Sequence, residues 1–307
     1  ELNAILTQYQ NAEFLAVDTE FLRERTYYPQ LCLIQISDGV DAVAIDPLAP
    51  NLDLNPLWDL MRNQNITKVF HAGNQDMEIF LHLMGSLPEP IYDTQIAAMV
   101  CGLGDQVGYD KLVKAMLDHD IDKTSRFTDW SKRPLSNRQI VYALDDVIYL
   151  AKLYPLMRSK LEAENRSHWL DEEYAKSNDP ATYVTAPDAA WQKLKVRNMR
   201  PAPLLRLMHL AAWREREAQS RDLPRNRVIR DETLIDLAGS NPKDRNDFAN
   251  IRNFPGGKDG KLVAPISKIL DMVAAMPSSS LPEAEKRGPA KRPPAAVMEL
   301  LRVLLKH

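Results

Sequence analysis

Cysteine is nearly absent from this 307-residue chain: Cys32 and Cys101 are the whole supply. They stand far apart and form no CxxC pair, which excludes a disulfide scaffold and a zinc ribbon. No apolar run approaches the roughly 20 residues that cross a bilayer, which excludes a helical membrane protein. The opening ELNAILTQYQ has neither a basic n-region nor an apolar h-region, so no signal peptide is read. An initiator methionine is missing too. The chain is therefore expected to begin inside its gene product and to work in a reduced, cytoplasmic compartment. Nucleotide-cofactor fingerprints are absent. Gly102-x-Gly104-x-x-x-Gly108 has one residue too many for a dinucleotide site, and Gly256-x-x-x-Gly260-Lys261 is one short of a P-loop and ends in Leu262. No GxSxG elbow marks a serine nucleophile.

What is present is an ordinary globular balance, 45% hydrophobic and 26% charged. The net charge of −3 conceals a division. Residues 1–185 hold 16 Lys+Arg against 28 Asp+Glu, a balance of −12; residues 186–307 hold 23 against 14, a balance of +9. Such asymmetry predicts an acidic catalytic unit joined to a basic unit that approaches nucleic acid. Two separately solvated surfaces are the plainer alternative.

The first half reads as mixed α/β. Residues 14–18 (FLAVD), 31–36 (LCLIQI), 42–45 (AVAI) and 68–71 (KVFH) fit strands. The Ser37-Asp38-Gly39 turn makes the second and third antiparallel neighbours, because a parallel pair needs a long crossover. The first pair is expected to be antiparallel as well. Helices are predicted over 56–62, over 75–84 with Asn74 as cap, over 94–100 capped by Asp93, and from Ser136 through the 139–153 region. Residues 176–199 form a joint, 200–276 a helical domain, 277–294 a linker, and 295–307 the start of an amphipathic helix.

Three acidic sites carry the chemistry. Asp18 and Glu20 in Asp18-Thr19-Glu20 share one side of an extended chain, where two carboxylates repel each other unless a cation sits between them. Asp76 lies on the first turn of a helix that follows a strand; helix-dipole stabilisation would explain it equally well. Tyr142 and Asp146 stand four residues apart on one helical face.

Together, Asp-x-Glu on a strand, Asp on a later helix and Tyr-x-x-x-Asp on a late helix resemble the three exonuclease motifs of the DEDD superfamily, Tyr subclass. The stretches AVDTEF (16–21), TYYPQLCLIQI (26–36), HAGNQDMEIF (71–80), YDTQIA (92–97), KTSRFTDWSKRPL (123–135) and YALDDVIYL (142–150) are similar to the ribonuclease D family. The resemblance spans residues 1–175, and 200–276 resembles the HRDC domain of helicases and ribonuclease D. Residues 295–307 would then open a second, truncated HRDC domain.

The resemblance implies an α/β ribonuclease-H-like exonuclease domain, a mixed sheet flanked by helices, followed by an all-α HRDC domain. It implies 3′→5′ exoribonuclease activity on structured RNA, tRNA precursors being the family's usual substrates. By motif position Asp18, Glu20, Asp76 and Asp146 would ligate metal, and Tyr142 would orient the attacking water. Asp145 adds a charge where a small residue is common. Four carboxylates are hard oxygen ligands that select Mg²⁺ or Mn²⁺. Two such ions about 3.5–4 Å apart can stabilise both oxygens of an in-line displacement.

Thr19, Phe21, His71, Lys123, Arg126 and Trp130 are the candidate nucleic-acid contacts. The last three mix cations with an aromatic, as single-strand sites do. Gln35 and Thr94-Gln95 are assigned to the scaffold. Two rivals share these motifs: a DNA 3′→5′ exonuclease, separable by contacts to the 2′-OH, and a non-catalytic nucleic-acid-binding module.

Overall fold

A computed structural model describes residues 2–196, 198–282 and 293–306. The chain divides into two units. One holds the chain up to Leu22, Pro29–Val184 and the stretch from Pro293; the other holds Arg23–Tyr28 and the chain from Thr185 to residue 282. The change of unit at Thr185 falls inside the segment read as a joint. The inclusion of Arg23–Tyr28 in the second unit is not visible in the sequence.

In the first unit the order is α1 (Leu2–Thr7), β1 (Phe14–Leu22), β2 (Gln30–Ser37), β3 (Ala42–Ile45), α2 (Asn55–Arg62), β4 (Thr67–Phe70), α3 (Asn74–Met84), β5 (Ile91–Asp93), α4 (Thr94–Val100), α5 (Tyr109–Leu117), α6 (Asn137–Ala163) and α7 (Asp171–Ser177). The strands form one mixed sheet in the order β3-β2-β1-β4-β5. β1 pairs antiparallel with β2 (Asp18 opposite Gln35) and parallel with β4 (Ala16 opposite Val69). The expected antiparallel β2–β3 hairpin is present.

Alternation along β1 feeds two cores, one on each face of the sheet. Leu15 and Val17 pack with Leu57, Met77 and Phe80 of α2 and α3. Ala16 packs with Ala97, Val113, Val147 and Ala151 of α4, α5 and α6. Elements rooted on opposite faces therefore converge on the end of one strand. Buried Lys68 ties a corner of this sheet: its Nζ donates to the carbonyls of Asn63 (2.7 Å), Ile66 (2.6 Å) and Glu89, which satisfies an otherwise costly buried ammonium.

Several local expectations are revised. Gly73, not Asn74, is the N-cap of α3, and no side chain caps that end; the turn is held from Asp93 instead. β5 is too short to show a period, whereas α5 is absent from the expected elements although Tyr109, Leu112, Val113, Met116 and Leu117 recur at helical spacing. α6 continues past Leu153 through Pro155 to Ala163. The lost backbone hydrogen bond at the proline is outweighed by burial of Leu153, Tyr154, Met157 and Leu161.

The second unit is helical: α8 (Pro201–Ser220), α9 (Arg225–Val228), α10 (Asp231–Ser240), α11 (Arg245–Ala249) and α12 (Val263–Ala274). Leu207, Leu210, Leu234, Leu237, Phe248 and Ile266 are its core. The glycine-rich 255–261 segment is a tight turn between α11 and α12: a Cβ at Gly260 would stand 2.2 Å from the Pro255 carbonyl oxygen. Most of the 277–294 segment read as a linker, residues 283–292, lies outside the described residues. Beyond it α13 (Ala295–Lys306) is grouped with the first unit and leaves Leu300 and Leu304 exposed.

Candidate active site

β1 delivers Asp18 and Glu20 to the face covered by α6, and a bulge after Glu20 ends the regular register. From α6 comes Asp146. Carboxylate oxygens of Asp18, Glu20 and Asp146 all lie within 4.8 Å of one another. Thr19, between the two acids, points to the other face and is buried. There its hydroxyl donates to the carboxylate of Asp76, on the first turn of α3.

Two local devices place the acids that lie off β1. The first is Asp93. Its carboxylate accepts from the backbone N–H groups of Ala72 (3.0 Å), Gly73 (2.9 Å) and Gln95 (2.8 Å). It caps α4 as expected and also clamps the turn that starts α3. That turn holds Ala72 at φ 55° and leaves no room at Gly73, where a Cβ would meet Phe70 Cβ at 2.8 Å. The second device is on α6. A Ser136–Gln139 capping box starts the helix, and Tyr109 of α5 donates its hydroxyl to the main-chain carbonyl of Asp146. Tyr109 opens a helix absent from the sequence expectations, although its Leu112, Val113, Met116 and Leu117 recur at helical spacing.

The electrostatics follow from crowding. Burial, then the charges of Asp146, Asp76 and Glu20, push Asp18 well above the usual carboxylate range. Burial and the charges of Asp146 and Asp76 carry Glu20 to about 9, with Arg126 opposing. Asp76 rises to about 7 through burial, offset by the Thr19 hydrogen bond. Asp146 also reaches about 7, through burial and the Asp145 charge, offset by Tyr142 and Arg126. Without a cation these acids therefore hold protons near neutral pH.

Tyr142 lies beside them. Burial first, then Asp146, Glu20 and Asp18, push its phenol far up, so it stays protonated. Asp145, one residue before Asp146, is raised by burial, with His119 and Lys152 opposing, and is outside the carboxylate cluster.

The expected nucleic-acid contacts separate. Arg126 is exposed, and its charge reaches Glu20, Asp146 and Tyr142. Lys123 is ion-paired with Asp110 at 2.6 Å. The Nδ1 atom of His71 is 3.0 Å from the Thr94 hydroxyl, the ring packs on Tyr109 at 5.3 Å, and burial lowers its pKa. Phe21 is half-buried against the α2–α3 core. Trp130 requires a correction: it is 2% exposed and fills the gap between β2 and α6, with Cys32, Leu33 and Ala143. The exposed aromatic of this segment is Phe127, 91% accessible, with the Arg126 guanidinium 5.4 Å from its ring centroid. Among Trp, Phe and Tyr in a cationic stretch, sequence alone does not distinguish the packed ring from the free one.

The chain is similar to known proteins along nearly its whole length. Residues 1–162 match the 3′-5′ exonuclease family and residues 204–273 match the HRDC domain. A ribonuclease D of Zymomonas mobilis is 44% identical, over 99% of this chain and 79% of the relative. One of Bartonella henselae is 43% identical, over 100% and 76%. The crystal structure of Escherichia coli RNase D, described as an exoribonuclease involved in structured RNA processing, superposes with a TM-score of 0.84 at 34% identity, covering 92% of this chain and 75% of that one. Brucella melitensis NrnC with bound Mg²⁺ superposes with a TM-score of 0.50 at 29% identity, over 57% and 85%.

Proposed function

The chain belongs to the ribonuclease D family and is a 3′→5′ exoribonuclease; from that premise we propose that it trims structured RNA precursors, tRNA 3′ ends among them, at a site formed by Asp18, Glu20, Asp76, Tyr142 and Asp146. The family depends on divalent metal, and its substrate is RNA. The observation that carries the site assignment is the convergence of the Asp18, Glu20 and Asp146 carboxylates within 4.8 Å.

The residues present fit a hard divalent cation. All the donors are carboxylate oxygens, they raise one another's affinity for protons, and such a set selects Mg²⁺ or Mn²⁺ over softer ions. We read two ions held by the four acids, with Asp76 completing the set from the α3 side. The Mg²⁺ bound by the Brucella protein supports the choice of ion. When bound, the cations supply positive charge for the scissile phosphodiester and acidity for the attacking water. Tyr142, protonated, hydrogen-bonds that water and aims it. Arg126 adds positive charge against the approaching phosphate. The HRDC unit supplies docking through its excess of Lys and Arg, a contribution that weakens with salt. The amphipathic α13 fits the first helix of a second such domain.

Among the described residues no helix is long and apolar enough to cross a membrane. Cys32 and Cys101 are both free and buried, which suits the reducing cytoplasm we propose.

A 3′-labelled tRNA precursor tests the reading. Chelation is expected to abolish mononucleotide release, and Mg²⁺ or Mn²⁺ to restore it. Full activity in excess EDTA would overturn the metal assignment. Equal rates on ribose and deoxyribose 3′ ends would overturn RNA selectivity.

A further inference from the structure

Gln35 lies on β2 and is wholly buried, at 0% exposure. Neither Oε1 nor Nε2 of its amide has a hydrogen-bond partner among the described residues. An amide carries two donor hydrogens and two acceptor lone pairs. Leaving them unpaired in a core costs free energy, and folded proteins keep few such exceptions. A side chain needed for packing alone would be better served by leucine or methionine. The neighbours of the amide show what it is kept for.

In the sheet register Gln35 stands directly opposite Asp18 of β1 and opposite Ala44 of β3. Side chains of such cross-strand partners share one face. Ile34 and Ile36, on either side of Gln35, belong to the core with Leu57, Met77 and Phe80. Gln35 therefore takes the other face, the one covered by α6. Leu33, two residues before it, clusters there with Ala143 of α6, and Ala16, two before Asp18, clusters with Val147. Leu33, Ala44 and Ala16 offer no side-chain hydrogen-bonding group. Ser37, two residues further along the face, accepts from the Gly39 N–H (3.1 Å). Opposed Cβ atoms in an antiparallel pair are about 4.5–5.5 Å apart and diagonal ones about 7–8 Å. A glutamine amide spans the shorter gap by rotating its own side-chain bonds, so the carboxylate within its reach is Asp18 rather than the diagonal Glu20.

Asp18 is one of the three carboxylates whose oxygens lie within 4.8 Å of one another. Carboxylates that ligate metal are themselves held by hydrogen bonds from surrounding side chains, which fix the oxygen each presents. Asp76 has such a donor in the Thr19 hydroxyl. For Asp18 the side-chain donor in place is the Gln35 amide. The two groups lie side by side without a hydrogen bond, and the ionised carboxylate that a cation requires is the stronger acceptor.

We propose that Gln35 is the positioning residue for Asp18: its buried amide N–H donates to the ionised Asp18 carboxylate and fixes the orientation in which that carboxylate meets a divalent cation. The inference rests on the reading that the clustered acids hold metal. It moves Gln35 from the scaffold into the support of the metal site, and it gives a reason for an amide where an apolar side chain would pack.

The test is calorimetric titration of the full chain with Mn²⁺ alone, without RNA, beside thermal unfolding in EDTA. Gln35→Met keeps a long unbranched side chain and removes the amide. Its Tm in EDTA is expected to hold or rise, because a buried unpaired amide is gone. Half-saturating Mn²⁺ is expected to rise about 10–100-fold. The Mg²⁺ needed for half-maximal RNA hydrolysis should rise by the same factor, while kcat at saturating Mg²⁺ returns toward that of the wild type and KM for RNA is unchanged. Ser37→Ala is the control, on the same strand and face. It loses the acceptor for the Gly39 N–H, so its Tm falls while its Mn²⁺ midpoint stays that of the wild type. An unshifted Mn²⁺ midpoint in Gln35→Met would overturn the proposal and return Gln35 to the scaffold. Equal midpoint shifts in Gln35→Met and Ser37→Ala would overturn it as well, since loosening of the strand would then suffice. Gln35→Leu is the second variant; if neither it nor Gln35→Met folds, Gln35 is a packing residue and the proposal falls. A wild type that takes up no Mn²⁺ would sink the metal reading itself, and the proposal with it.

Discussion

Thr19 donates its hydroxyl hydrogen to the carboxylate of Asp76, a residue 57 positions away on the opposite face of the sheet from Asp146. The threonine between two active-site acids thus holds a third. Thr19→Val keeps shape and loses the donor. Asp76 then loses the hydrogen bond that restrains its pKa, and its protonated form gains population near neutrality. Expected are about 1 kcal/mol of lost stability, a kcat lowered on the order of tenfold, and an acid limb of the pH–rate profile moved to higher pH. An unmoved limb would show that Asp76 does not titrate in the working range.

The acids also predict how stability varies with pH when metal is removed. In the unfolded chain Asp76, Asp146 and Glu20 titrate near 3.8–4.5; in the folded one they titrate at about 7, 7 and 9. Over that interval the folded state binds more protons than the unfolded, so stability falls as pH rises from about 4 through 7 and toward 9. Each kcal/mol lost lowers Tm by about 2–4 °C in a domain of this size. The measurement is Tm in EDTA across pH 5–8, repeated with Mg²⁺. The metal-free slope is expected to be negative and the Mg²⁺ curve flatter, because a cation favours the ionised set. Glu20→Gln should raise the metal-free Tm at pH 8. A flat metal-free profile would mean that the carboxylates are not buried and crowded as described.

The third motif contains a built-in comparison. Asp146 is in the carboxylate cluster and Asp145 is outside it. Asp146→Asn is expected to lose most activity and Asp145→Asn little. Tyr142→Phe removes only the hydroxyl; if that group aims the water, kcat drops by about 10–10³-fold while KM changes little. Reversal of the two aspartates would move the motif by one residue. An unchanged kcat in Tyr142→Phe would leave the ring a packing role.

Much of this site could be read from the chain because its parts are short-range patterns. Asp-x-Glu on a strand and Tyr-x-x-x-Asp on a helix need only strand and helix periods to place them, and both landed as spaced. The antiparallel β1–β2–β3 start was equally accessible: the β2–β3 turn is too short for a crossover, and the longer β1–β2 connection carries no helical pattern. What escaped depends on distant partners. Asn74 reads as a cap by local preference, yet the α3 turn is held by the Asp93 carboxylate. Tyr109 steadies Asp146 from a helix whose apolar stripe was there to be read, but the contact itself leaves no mark in the sequence. Arg23–Tyr28 looks like a loop between strands, but the Tyr27–Glu215–Arg225 contacts place it in the second unit. None of these contacts leaves a periodic trace.

The segment around residue 126 yields the last prediction, because sequence and structure disagree there about which aromatic is free. Trp130 is buried among Cys32, Leu33 and Ala143 and tilted against Tyr142 at 6.0 Å. Its truncation should act on folding: Trp130→Ala is expected to cost about 3–5 kcal/mol, as large-to-small changes in a core do. Phe127 is the reverse case. An exposed ring contributes little to stability, so Phe127→Ala should leave the unfolding transition within about 0.5 kcal/mol. Beside Arg126, whose charge reaches the acidic cluster, that ring offers a base a stacking surface worth about 1–3 kcal/mol. Weaker binding of single-stranded RNA in EDTA, on the order of 5–100-fold, is therefore expected for Phe127→Ala. Chemical denaturation and RNA titration of both variants decide the matter. If Trp130→Ala folds normally and loses RNA while Phe127→Ala binds as the wild type does, the two rings have exchanged roles and the packing described here is wrong.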